Sequence, residues 1–84
     1  MTEKEIIDLI NTTLANEFEL NITDMAPNAV LKEDLGLDSL DRVDMVIVLE
    51  RAFNFKIREE EAIREIVTLG DIHNFVINKT HEVQ

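Results

Sequence analysis

Position 39 holds the single serine of the 84-residue chain, inside Asp34-Leu35-Gly36-Leu37-Asp38-Ser39-Leu40. A hydroxyl between a glycine-containing turn and a run of helix formers is placed to carry a covalent group. Ser39 is expected to N-cap the helix that follows, with its hydroxyl exposed and the next amides unpaired. A phosphate ester there meets the positive end of the helix dipole, a gain of about 0.3 to 1 kcal/mol. A plain capping role accounts for the same serine. Gly36 permits a sharp turn or a close approach, and Leu35 and Leu37 can pin the loop to a core. Catalysis by Ser39 is not expected, because a nucleophilic serine needs a base and an oxyanion hole. His73 and His81 both lie near the C-terminus, and Leu37 interrupts a Gly-Asp-Ser-Leu hydrolase motif. Asp34, Asp38, Asp41 and Asp44 cluster, yet they lack the alternate ligand spacing, internal glycine and terminal glutamate of a calcium loop. No metal site is expected beyond weak, nonspecific divalent binding.

Charge and composition narrow the classes further. Lys+Arg 8 against Asp+Glu 18 gives a net charge of -10, which repels nucleic acid and anionic lipid and attracts basic protein surfaces. There is no cysteine, so disulfides and thiolate metal sites are excluded and any thiol chemistry must be imported. The N-terminal residues are acidic where a secretory signal is basic, and the longest apolar run, Met45 to Leu49, is far below the ~20 residues that span a bilayer. A soluble, cytoplasmic protein of one domain over 1–84, with no stable membrane association, is the expectation.

The elements that must position Ser39 are helical. Thr2 and Glu5 form a capping box, and Ile6/Ile7, Ile10, Leu14 and Phe18 recur at helical spacing, which predicts a first helix over 3–17. A long loop follows, marked by Asn21, Thr23, Asp24, Pro27, Asn28 and Gly36; so long a loop in so small a domain is usually functional. Residues 40–53 contain no Gly or Pro and form the second helix. A very short third helix is expected over 59–64. Thr68-Leu69-Gly70-Asp71 reads as a cap with an acid at its third position, opening a last helix that runs to about residue 78. The fold class is all-α: a small bundle of four helices, the third short, stable as a monomer.

The second helix has two apolar stripes. At ~100° per residue Leu40, Val43 and Ile47 fall together, while Met45, Leu49, Ala52 and Phe53 fall near the opposite side. One stripe serves the core. The other either packs beneath the long loop or faces a partner. Asp44 and Arg51 lie on the Leu40 side, with Asp41 and Glu50 flanking it. Six acids against one base between Glu33 and Glu50 favour docking on a basic surface.

The block Asp34 to Leu40, with Asp41-Arg42-Val43-Asp44, Leu49-Glu50, the segment 53–57, Glu59-Glu60-Glu61-Ala62 and Thr68-Leu69-Gly70-Asp71, resembles acyl carrier proteins along nearly the whole chain. The resemblance implies that Ser39 receives 4'-phosphopantetheine from coenzyme A, supplying the missing thiol on which acyl groups ride as thioesters. It implies that Asp38 lies near the magnesium and phosphates during modification by a phosphopantetheinyl transferase. It assigns Leu40, Asp41, Val43, Asp44, Ile47 and Glu50 to a partner-docking helix, the face the wheel selects independently. The partners implied are fatty-acid synthesis enzymes with basic docking patches. Acyl chains stored between helices would draw on Met45, Val46, Leu49, Ile57, Ala62, Ile66 and Leu69, residues that core packing explains equally well. Arg42 and Arg51 depart from a helix that is often almost wholly acidic in the family, Arg58 stands where proline is frequent, and 63–67 runs one residue long. A carrier for another lipid, polyketide or peptide pathway, and an acidic helical adaptor without cofactor, are the alternative functions.

Overall fold

The computed structural model describes residues 2–54 and 65–83. Among these residues three helices, α1 (Glu3–Phe18), α2 (Ser39–Phe53) and α3 (Leu69–Val83), enclose one core, with a 3-10 turn at Ile22–Asp24 in the loop between α1 and α2. The short helix expected over 59–64 lies outside the described residues.

Helix α1 opens on the expected capping box. Thr2 Oγ1 accepts from the Glu5 N–H and the Glu5 carboxylate accepts from the Thr2 N–H, at 3.2 and 3.0 Å. Hydrogen bonding to Thr2 holds the Glu5 carboxyl below its ordinary value. Ile6, Ile10 and Leu14 are buried on one stripe, with Ile7 and Phe18 half-buried beside it. The helix stops at Glu19, whose left-handed φ of 55° lets its own N–H and that of Leu20 reach the Ala15 carbonyl.

The α1–α2 loop runs along the surface but inserts side chains into the core. Met25, Ala29, Leu31 and Leu37 are buried, and Leu35 packs against the same cluster. Its backbone is tied to the start of α3. The Leu31 N–H donates to the Val67 carbonyl, Leu69 to Ala29 and Gly70 to Pro27, at 3.0, 2.9 and 2.7 Å. Val30 and Thr68 form an isolated antiparallel bridge. Gly36 has φ +70° and no atom near the place of a Cβ, so it serves the turn. Gly70 is the close approach instead: a Cβ there would sit 2.9 Å from the Pro27 carbonyl oxygen.

Helix α3 starts as expected, with the Asp71 carboxylate accepting from the Val67 and Thr68 N–H groups and Thr68 Oγ1 accepting from Asp71. Those backbone donors pull the Asp71 carboxyl below its ordinary value. The helix runs beyond the expected end near 78 because neither Gly nor Pro follows to stop it. Leu69, Ile72, Val76 and Ile77 face the core. His73 is buried with them, its Nε2 2.8 Å from the Asn11 amide oxygen on α1. Burial holds its imidazole below the ordinary value.

Candidate functional site

Ser39 is exposed, as expected, but it does not cap α2. Asp38 does. Its carboxylate accepts from the Leu40 and Asp41 N–H groups at 3.0 and 3.1 Å, and Asp41 returns the bond by accepting from the Asp38 N–H at 3.1 Å. The amides after Ser39 are therefore occupied, contrary to the expectation that they stand unpaired. A carboxylate wins this place because one of its oxygens serves two amides and its charge is stabilised by the helix dipole. Ser39 becomes the first helical residue, with its hydroxyl released from any capping duty. Asp34 is engaged locally too, accepting from the Val30 N–H at 2.7 Å.

The two stripes of α2 separate by burial. Leu40, Val43 and Ile47 are 76, 57 and 44% exposed, whereas Met45 and Leu49 are each 3% exposed. The outer stripe does not pack beneath the loop. Asp44 and Arg51 stand exposed on the same side, Glu50 is half-buried beside them, and Asp41 is half-buried in the cap. Glu17 and Phe18 of α1 meet Asp44, Ile47, Val48 and Arg51 in an open groove at the edge of this face.

On the inner side α2 and α3 leave a small cavity of about 20 Å³. Met45, Val46, Leu49 and Ile66 line it, together with Arg42, Ile72 and Phe75. Of the remaining residues assigned to acyl storage, Leu69 is fully buried in the core and is not part of this lining, while Ile57 and Ala62 lie outside the described residues. Arg42, Ile72 and Phe75 were not expected here. The signal for Arg42 was present in its spacing of three, four and seven residues from Met45, Val46 and Leu49, which puts all four on one helical face.

The arrangement is therefore an exposed hydroxyl at the head of a helix that buries one apolar stripe and presents another. The family described as "Phosphopantetheine attachment site" matches residues 8–76, a span that includes Ser39 and both stripes. An acyl carrier protein of Thermosynechococcus vestitus is 33% identical over 79 residues, 94% of this chain and 96% of the relative. The chain belongs to the acyl carrier protein family. A second acyl carrier protein, from Cyanidioschyzon merolae, is 30% identical over 77 residues, 92% of this chain and 84% of its own length. The family's cofactor is 4'-phosphopantetheine and its members are carriers, not enzymes. The residues present fit the group, since the serine hydroxyl is exposed and committed to no cap.

Proposed function

We propose that this chain carries acyl groups on a 4'-phosphopantetheine arm attached to Ser39 and delivers them to enzymes of fatty-acid synthesis. The observation that carries the reading is the exposed Ser39 hydroxyl at the head of α2, in a chain of this family. When bound, the arm supplies the thiol that a cysteine-free chain lacks. Ser39 Oγ bonds to phosphorus as the anhydride bond of coenzyme A breaks, the adenosine half leaves, and the hydroxyl proton passes to a base of the transferase. Asp38, the residue before it, would offer its carboxylate to the transferase's magnesium during that step.

Recognition falls to the outer stripe of α2. Leu40, Val43 and Ile47 supply apolar burial to a partner, while Asp41, Asp44 and Glu50 steer a basic patch toward them. The single carrier domain over 1–84, a four-helix bundle, the monomeric state and a cytoplasmic site of action belong to the same reading. Among the described residues no helix is long and apolar enough to cross a membrane.

Intact mass tests it directly. Incubation with a phosphopantetheinyl transferase and coenzyme A should add one phosphopantetheine to the wild type and none to Ser39→Ala. An unchanged wild-type mass with a competent transferase would sink the reading.

A further inference from the structure

The inner cavity has one feature that apolar packing does not explain. Arg42 Nε is buried and has no hydrogen-bond partner among the described residues. A buried donor without an acceptor loses its water and gains nothing in return, and native structures retain few of them. Among the described residues the other lining side chains, Met45, Val46, Leu49, Ile66, Ile72 and Phe75, offer no oxygen. Arg42 also sits one helical turn beyond Ser39, at the spacing that makes two residues neighbours on a helix surface. Ser39, Arg42, Val46 and Leu49 thus form a continuous row from the attachment point to the cavity, in which Arg42 is the lining residue one turn from Ser39.

We propose that Arg42 sorts acyl cargo by polarity, favouring groups that carry a hydrogen-bond-accepting oxygen close to the carbonyl over fully saturated chains. The inference rests on the carrier reading and names its substrate class. At about 20 Å³ the cavity holds roughly one water, so any cargo must part its walls. A saturated chain that does so keeps Arg42 Nε dry and unpaired. A hydroxyl or keto oxygen at that depth accepts from it. Because a guanidinium stays charged at any ordinary pH, that bond is charge-assisted and among the stronger kind.

The test loads the wild-type protein with octanoyl and with 3-hydroxyoctanoyl groups and reads two quantities. One is the Arg42 Nε–Hε resonance; the other is the rate at which hydroxylamine cleaves the acyl group. The hydroxyacyl form should shift the resonance and resist cleavage about tenfold better than the octanoyl form, the scale of one hydrogen bond to a charged donor. In Arg42→Met that advantage should vanish, with octanoyl protection kept or improved. Equal protection in the wild type, an unmoved resonance, or an advantage that survives Arg42→Met overturns the proposal. Should Arg42→Met fail to fold, the wild-type resonance decides alone. Neither acyl form outlasting free acyl-pantetheine would remove the cavity as the cargo site and the proposal with it. Failure to load Ser39 at all would instead overturn the carrier reading.

Discussion

Asp38 and Ser39 divide between them two tasks that adjacent residues could have shared. The carboxylate caps α2 and leaves the hydroxyl exposed. Ser39→Ala should therefore leave stability within about 0.5 kcal/mol of wild type, since an exposed first-turn position makes little contribution of its own, while loading is abolished. Asp38 separates its own two roles by variant. Asp38→Ala removes the cap and should cost about 1 kcal/mol in urea unfolding, whereas Asp38→Asn keeps a capping oxygen and should unfold like wild type. If the negative charge serves modification, both variants should load slowly; an Asp38→Asn protein loaded at the wild-type rate would confine Asp38 to capping. Gly70 gives a residue-scale prediction of opposite sign to helix propensity. Alanine is the better helix former by about 1 kcal/mol. Here its Cβ would meet the Pro27 carbonyl at 2.9 Å and disturb the bond from the Gly70 N–H. Gly70→Ala should destabilise by about 1 to 3 kcal/mol, measured by chemical unfolding.

At the scale of an element, α2 is a helix with two apolar stripes, one buried and one exposed. Leu49 is 3% exposed and Ile47 44% exposed, two residues apart on one helix. Leu49→Ser leaves a cavity and a buried hydroxyl, and should cost about 3 kcal/mol or more. Ile47→Ser changes a solvent-facing side chain and should stay within about 0.5 kcal/mol, while shortening the lifetime of complexes with partner enzymes. Asp44→Lys should act differently, slowing association and flattening its dependence on salt, because an exposed charge steers encounter more than it holds the complex. Equal unfolding of Ile47→Ser and Leu49→Ser would make the outer stripe part of the core.

For the molecule as a whole, pH and salt act through separate groups. Burial depresses the His73 imidazole, so between its ordinary value near 6.5 and its lower folded value the unfolded chain binds more protons. Stability is complete above that window and falls as pH drops through it. Asp71 and Glu5 are also depressed, by backbone N–H groups at their helix starts, and their contribution is lost on further acidification through their folded values. Thermal melts should therefore weaken in two stages below neutrality, and an NMR titration should find the His73 ring protonating below the ordinary imidazole range. Salt works on the net charge of -10. Added monovalent salt or millimolar divalent cation should raise the melting temperature by screening repulsion among the carboxylates.

Much of this protein is local, and local features are legible in a sequence. The Thr2/Glu5 and Thr68/Asp71 caps depend on residues three apart, the apolar repeat of α1 on one helical turn, and the Asp38-Ser39-Leu40 string marks the candidate site and the family resemblance. The two stripes of α2 were also visible by spacing. The acids beside Leu40, Val43 and Ile47 favoured that stripe as the outer one, but whether it stayed clear of the loop depended on where α1 and α3 lie. Ser39 was the expected cap, and only the backbone path into α2 decided that the Asp38 carboxylate takes the amides instead. Glu19 ends α1 in a left-handed conformation with no glycine to announce it. The ties from Leu31, Leu69 and Gly70 join segments some forty residues apart in the chain, beyond any spacing rule. Arg42 stands between the two cases: its spacing puts it on the face of Met45, Val46 and Leu49, but its type marks it as a surface residue, and only the tertiary fold encloses its Nε among apolar side chains.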